Sequence, residues 1–199
     1  MRKTFLVALA AVLAAVMFIR IGYINADKDE MVVDIQNMRQ WMALDGNYMA
    51  IETEKTNGYS VRVNTAKLYE YEEYLDKYGI DASGDTDLSY FKPGKVLELE
   101  VVVQNPSNEE GYISLENWMV MNETLDYDTV ICPALLDYSM PELKDKSIGS
   151  VKFKLGSEYT MKLPFLFEDY HEINGVGSIF YLYVTRWPER KVVKVDVNT

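Results

Sequence analysis

The feature that most constrains the fold is a strand-like alternation that recurs along the chain. Residues 95–105, KVLELEVVVQN, place Leu97, Leu99, Val101 and Val103 on one side of an extended segment. A side-chain period of two is typical of a β-strand with one face in a core. Eight or nine such short strands, with turns every 8–15 residues and one or two short helices, can be placed along the chain. This pattern predicts a mainly β fold, an immunoglobulin-like β-sandwich, with a closed β-barrel as the alternative.

Turn signals place several of these strands. LDGNY at 44–48 combines Asp-Gly with Gly-Asn, which suit positive φ, and predicts a turn between short strands at about 40–44 and 48–53. PSNEEG follows the strand at 95–105, and YISLENWMVMNETL at 112–125 follows the turn. This arrangement predicts a hairpin between those two segments.

The stretch from 59 to 79 changes its period. Residues 59–64 alternate as a strand, whereas Leu68, Tyr71, Leu75 and Tyr78 repeat at helical spacing before Gly79. A strand that continues to about residue 70 and is followed by a two-turn helix is the alternative.

Two elements follow towards the carboxyl end. One helical turn is expected after Ser139. The last strand, at 191–197, has a polar face, which predicts an edge or half-exposed position.

The charge balance excludes two classes of partner. The first 26 residues contain three basic residues and no acidic one, so the remainder carries 17 basic and 31 acidic residues. Nucleic acid requires a basic footprint, and anionic lipid attracts basic segments. We therefore expect neither nucleic acid nor an anionic lipid surface as a partner of the folded domain.

One cysteine and one histidine restrict the chemistry. A single thiol, Cys132, cannot form an intrachain disulfide, so the fold depends on its apolar core. Cys132 lies between apolar neighbours and is predicted to be buried. His171 is predicted to lie at a loop or strand end, and one His with one Cys does not supply a zinc site. No cofactor is expected.

The amino-terminal residues predict a membrane anchor. Phe5 to Ile19 are 15 consecutive apolar residues behind Arg2 and Lys3. Extended to Ile24, about 20 helical residues reach the ~30 Å of a hydrocarbon core. Basic residues before the span and acidic residues after it predict an N-in, C-out single pass.

These considerations divide the chain into three parts. Residues 1–26 are the signal-anchor or transmembrane segment, 27–38 a stalk and 39–199 the extracytoplasmic domain at the cell membrane. Cleavage after Ala26, which would make the protein secreted, is the alternative.

Several segments together resemble a known group of proteins. RIGYIN after the apolar run, LDGNY, GYSVRVNTAKL followed by YLDKYG, and FYLYVTRWPERKVVKV are the segments concerned. They resemble uncharacterised, membrane-anchored extracytoplasmic proteins of Gram-positive bacteria. The resemblance implies one anchor and one β-sandwich domain of unknown function in the bacterial cell envelope, and it supplies no active residue.

A metal site is suggested by the segment DASGDTD. Asp81, Ser83, Asp85 and Asp87 occupy loop positions 1, 3, 5 and 7, which is the oxygen-ligand spacing of a calcium loop. The glycine and the final glutamate of such a loop are missing, so the segment predicts either a weak calcium site or a solvated acidic turn.

Four tyrosines form the second candidate. Tyr69, Tyr71, Tyr74 and Tyr78 alternate with acidic residues. Exposed tyrosines among polar groups are effective recognition surfaces. The alternative is that two of the four cover the core.

No catalytic motif is present, and we expect no catalytic residue. The sequence lacks the G-x-S-x-G nucleophile elbow. We therefore expect a tethered, non-enzymatic binding or accessory domain that recognises a cell-envelope protein or a basic peptide. A carboxylate-based envelope hydrolase or carbohydrate-binding protein, and a calcium-dependent structural or adhesive module, are the alternatives.

Overall fold

The computed structural model describes residues 16, 17, 20, 32–81, 88, 94–125, 127–144, 146–168 and 177–198. The chain divides into a unit of residues 1–32 and a compact unit of residues 33–199. The architecture reported below is that of the second unit.

The described residues of this unit form nine strands and two α-helices. In chain order they are β1 (Val33–Asn37), β2 (Met42–Ala43), β3 (Ser60–Glu70), α1 (Tyr71–Tyr78), β4 (Gly94–Asn105), β5 (Met119–Asn122), β6 (Asp128–Val130), α2 (Pro133–Ser139), β7 (Ser157–Glu168), β8 (Ile179–Tyr183) and β9 (Arg190–Asp196). Short 3₁₀ turns lie at Glu52–Glu54, Leu115–Asn117 and Pro141–Leu143.

The strands form two sheets. One has five strands in the order β1-β9-β8-β5-β6, and the other has four in the order β2-β3-β4-β7. All pairs are antiparallel except β1 with β9, which is parallel. A single bridge between Ile131 and Phe165 links β7 to the residue after β6. The closed barrel is therefore wrong, and the fold is mainly β with two sheets.

One apolar core lies between the sheets. The alternating residues Leu97, Leu99, Val101 and Val103 of β4 are fully buried in it, as their period of two predicts. The five-stranded sheet contributes buried residues to the same core, which are Val120, Phe180, Leu182, Val193 and Val195. Burial of this apolar surface stabilises the domain without any disulfide.

A second apolar cluster covers the other face of the four-stranded sheet. The helices α1 and α2 pack there, and Val96 and Leu166 of the sheet meet Leu75 and Leu135 of the helices. Cys132, which precedes α2, belongs to this cluster and is buried, as the sequence predicts. The longest strands of the domain are thus buried on both faces.

The predicted turn at 44–48 and the change of period near residue 70 are confirmed. Asp45 and Gly46 have φ values of 53° and 81°, the left-handed conformation that Asp-Gly adopts readily. Strand β3 continues to Glu70 before α1 begins, which is the predicted alternative of a strand to about residue 70 followed by a two-turn helix.

The predicted hairpin after residue 105 is wrong. Strand β4 pairs with β3 and β7, while β5 lies in the other sheet beside β6 and β8. The intervening residue Ile113 forms an isolated bridge with Val151, so the chain crosses between the sheets here. Strand β4 does not pair with β5 because β3 and β7 offer β4 full-length ladders of ten and 12 residue pairs.

The assignment of residues 27–38 to a stalk is wrong for Val33–Asn37. These five residues are β1, which pairs with β9 from Val33–Arg190 to Asn37–Lys194. Strand β9 is therefore not an edge strand, since β1 covers it. The anchor at residues 1–26 remains a prediction, since only residues 16, 17 and 20 of that segment are described. No helix of the described chain is long and apolar enough to cross a membrane.

Candidate binding surface

The predicted tyrosine cluster assembles around α1. The helix places Tyr71, Tyr74 and Leu75 on its buried face at helical spacing. It ends at Gly79, whose φ of 62° allows its amide to donate to the Asp76 carbonyl oxygen at 3.2 Å.

The structure brings the four tyrosines together but does not expose them. Tyr69, Tyr71 and Tyr74 are 7%, 5% and 0% exposed, and Tyr78 is half-buried. The ring centroids of Tyr69 and Tyr74 are 5.6 Å apart, and those of Tyr74 and Tyr78 are 4.9 Å apart. The exposed surface on which the recognition hypothesis depends is therefore absent, because the rings fill the space between α1 and the sheet.

An ion pair crosses this cluster. The Lys77 ammonium lies 2.7 Å from Oε1 of Glu98 and 2.7 Å from the hydroxyl of Tyr69. The hydroxyl of Tyr78 donates to the second oxygen of Glu98 at 2.5 Å. The side chain of Glu98 is only 10% exposed, so these two donors compensate the cost of burying its charge.

The electrostatics of the cluster follow from this arrangement. Burial lowers the pKa of Lys77, but hydrogen bonds to Glu98 and Tyr69 raise it, and the net change is upward. Burial and the hydrogen bond to Glu98 raise the pKa of Tyr78 to about 12. Burial, with the Glu98 charge next in importance, also raises the pKa of Tyr74. All three groups hold their protons at neutral pH, so the hydrogen bonds that Lys77 and Tyr78 donate to Glu98 fasten α1 to β4.

The predicted calcium loop falls largely outside the described residues. Asp81 is described and exposed, whereas Ser83, Asp85, Asp87 and the lone His171 are not among the described residues. Among those that are described, no group of three or more His, Cys, Asp or Glu side chains is placed to hold a metal ion. The calcium site stays a prediction.

A different surface, on the five-stranded sheet, has the properties of a binding site. Because Phe180, Leu182, Val193 and Val195 face the core, their neighbours in β8 and β9 face away from it. We name this side the apolar face and define it by six residues: Val33, Ile35, Leu125, Tyr181, Tyr183 and Val192.

The apolar face is contiguous and only partly covered. Its residues line a shallow groove of about 170 Å³ together with Glu123. Val33, Ile35 and Leu125 are 46%, 55% and 51% exposed, while Val192 beneath them is 1% exposed. Grouped exposed apolar side chains on a soluble domain commonly mark an interaction site, unlike the same residues scattered singly.

Leu125 is held on this face by an unusual turn. Its φ is 58°, a left-handed conformation that costs a leucine about 1 kcal/mol. Its amide donates to the Asn122 carbonyl oxygen at 3.1 Å, which closes the turn after β5. Strained backbone positions cluster at functional sites, so this turn supports the interpretation of the apolar face as a binding surface.

Strand β1 adds an open backbone edge to the apolar face. It is the end strand of its sheet, and on its other side no strand of the described chain pairs with it. Lys191 fixes it in place, because the buried ammonium lies 3.0 Å from Asp34 of β1, 3.2 Å from Glu189 and 3.5 Å from Asp45. Burial lowers the pKa of Lys191, but the hydrogen bonds to Asp34 and Glu189 raise it overall.

Sequence reasoning missed this surface. Val33 and Ile35 alternate with Asp34 and Gln36, which is a short strand signal within the predicted stalk. Tyr181 and Tyr183 alternate in the same way, but the alternation alone does not say which side is open. No local signal marks Leu125.

Comparison with known proteins gives the family of the domain. Residues 35–191, more than three quarters of the chain, match the model of a domain of unknown function, DUF5028. The chain belongs to this family. The matched segment of the DUF5028 domain begins in β1 and ends in β9, so it spans both sheets. The expectation of a domain of unknown function is confirmed, and its membrane anchor stays a prediction.

Two further comparisons were made for the DUF5028 domain, with curated proteins and with solved structures. A comparison with curated proteins found no match. The chain is similar to a solved structure titled "The crystal structure of a functionally unknown protein from Listeria monocytogenes EGD-e", at 15% identity and a TM-score of 0.46, covering 70% of this chain and 77% of that one.

Proposed function

We propose that this chain is a membrane-tethered extracytoplasmic binding domain that recognises a protein or peptide of the cell envelope and catalyses no reaction. Its fold, in this proposal, is an immunoglobulin-like β-sandwich whose five-stranded sheet presents the binding surface. The observation that carries the proposal is the apolar face beside the open edge of β1.

The geometry suits an extended peptide. An open strand edge offers backbone amides and carbonyls to an added strand, and neighbouring pockets select its side chains. The groove beside β1 is lined by Tyr181 and Tyr183, and aromatic residues are enriched in protein interfaces. Apolar side chains of a partner strand would bury Val33, Ile35 and Leu125, which the isolated domain leaves half-exposed.

The charge of the chain favours a basic partner. The formal net charge is −11, and Glu123 lies at the margin of the apolar face. A negative surface accelerates the approach of a positive partner and repels an acidic one.

The first experiment tests recognition with matched probes. A photo-crosslinking residue replaces Ile35 or, as the control, Ile51 in the full chain expressed in its native cell, because these side chains are 55% and 54% exposed. We expect a discrete partner from position 35 that is absent from position 51 and is lost when Leu125→Gly is added. Identical products from the two positions would contradict the proposal.

The second experiment tests the tether. Cell fractionation should recover the chain with the membrane fraction, and external protease should digest its domain in intact cells. Soluble protein in the medium beginning at Asp27 would instead support cleavage after Ala26. The calcium-dependent and carboxylate-based alternatives stay predictions.

A further inference from the structure

A second groove, which shares no lining residue with the apolar face, has the size of a ligand pocket. It measures about 470 Å³ and lies beside the start of β7, between the residues that follow the 3₁₀ turn Pro141–Leu143 and the segment 150–154. Its volume falls within the range of ligand pockets, about 300–1,000 Å³.

Most of the charged residues among those that line the groove are basic. Lys146, Lys152 and Lys154 contribute three positive charges, and Glu158 contributes one negative charge. This local excess lies within a chain whose formal net charge is −11. It is therefore opposite in sign to the protein as a whole.

The three lysines of the groove form no ion pair with a described residue. Lys55, Lys77, Lys95 and Lys191, in contrast, all form ion pairs. Within the described chain, none of the three groove lysines has a carboxylate within the 4.0 Å of an ion pair.

The nearby carboxylates do not neutralise the groove. The charge of Lys152 helps to lower the pKa of Glu110, but hydrogen bonding to Lys55 is the largest cause, and Lys55 lies 2.7 Å from Glu110. Glu142 accepts a hydrogen bond from the Tyr159 hydroxyl at 3.0 Å. The three lysines outnumber Glu158, so the charged residues that line the groove keep a net positive charge.

The backbone that carries these lysines is fixed. Val151 exchanges hydrogen bonds with Ile113 at 2.9 and 3.0 Å. The side-chain amide of Asn105 donates to the Phe153 carbonyl oxygen at 2.7 Å. Because Phe153 is buried, the side chains of residues 152 and 154 on either side of it are directed outward. A rigid support reduces the entropy lost when a ligand binds.

The floor and walls supply complementary groups. Phe153 packs against Tyr159 with a centroid separation of 5.9 Å, which gives the groove an aromatic base. The hydroxyls of Ser147 and Ser150 line the same space and can donate to an anion. Lysine is an effective phosphate ligand as a compact point charge.

We propose that this groove binds a small phosphate-bearing anion, with Lys146, Lys152 and Lys154 as its charged ligands. The site is independent of the apolar face and of the proposed recognition of a peptide. It gives the domain a second ligand of opposite charge preference.

The test is a titration of the purified full chain with pyrophosphate. Binding is measured by calorimetry and by the NMR shifts of the backbone amides, and sodium chloride of equal ionic strength is the reference. We expect saturable binding and shifts confined to residues 146–159. Loss of two charged contacts in Lys152→Gln/Lys154→Gln should raise Kd at least about tenfold.

The matched control is Lys67→Gln/Lys95→Gln, which removes the same charge. Lys95 is ten residues before Asn105 along β4, about 33 Å from the groove end of that strand at the usual rise. We expect Kd to change less than twofold in this control, and circular dichroism to show both variants folded. Absence of saturable binding, or equal loss in the two double variants, would overturn the proposal.

Discussion

The ion pair between Lys77 and Glu98 makes a quantitative prediction about stability. Among the described residues, the carboxylate of Glu98, 10% exposed, keeps only the Tyr78 hydroxyl as a partner in Lys77→Met. Removing one member of a buried pair costs about 3–5 kcal/mol, and the 29% exposure of the Lys77 side chain places the expected loss at the lower end, about 3 kcal/mol.

The double variant Lys77→Met/Glu98→Leu should recover most of this loss. It leaves no uncompensated charge and adds an apolar side chain beside the cluster that contains Val96 and Leu166. Replacing both members of a buried pair by apolar residues is often neutral, so we expect it to be at least about 1.5 kcal/mol more stable than Lys77→Met alone.

The assay is equilibrium urea unfolding at neutral pH, followed by tryptophan fluorescence of the buried Trp118. The control is Lys67→Met, since Lys67 and Glu73 are 61% and 56% exposed and 3.4 Å apart, and such a pair contributes less than about 1 kcal/mol. The reasoning is refuted if Lys77→Met costs no more than Lys67→Met, or if the double variant is less stable than the single one.

Three further predictions concern other parts of the domain. The pKa of Tyr78 is raised from 10.0 to about 12, so its contribution to stability is complete below pH 10 and is lost as pH rises towards 12. Thermal unfolding across this range should show a smaller decline of Tm for Tyr78→Phe than for the wild type. Lys191→Met leaves the three surrounding carboxylates without their cation and should cost about 2 kcal/mol in urea unfolding, a penalty that narrows as added salt screens their repulsion. A Cβ on Gly111 would lie within 2.7 Å of the Glu54 carbonyl oxygen, so Gly111→Ala should cost about 2 kcal/mol or more, whereas Gly156→Ala, with φ of 73° and no close neighbour, should cost about 1 kcal/mol by thermal unfolding.

The elements of this fold could be predicted where local chemistry decides them. The alternation in β4 identifies its core face, the Asp45–Gly46 pair identifies a turn, and the spacing from Tyr71 to Tyr78 identifies a helix. Each of these signals is contained within a dozen residues. Local patterns of this kind depend on side-chain period and backbone preference alone.

The partners of the strands could not be predicted in the same way. Whether β4 pairs with the next strand or with β7 depends on which ladder buries more apolar surface, and that comparison involves residues more than 50 positions apart. The same reason explains the error in the tyrosine cluster. The polar neighbours of Tyr74 suggest exposure, but Leu135 and Leu166, distant in sequence, close over the same cluster.

The candidate site was the least predictable part. The apolar face combines β1, β8, β9 and the turn at Leu125, and an open surface is defined by what fails to cover it. A sequence states which residues are apolar, but it does not state which of two strand faces lacks a covering layer.

The burial of Cys132 has a practical consequence for the proposed location outside the cell, where the surroundings are oxidising. A thiol that is 5% exposed, within the cluster where α2 packs on the sheet, is sheltered from oxidants and from exchange with other thiols, so two copies should not become covalently joined. A thiol reagent reaches this residue only when the cluster around it opens, so the rate of labelling measures how often this part of the domain opens.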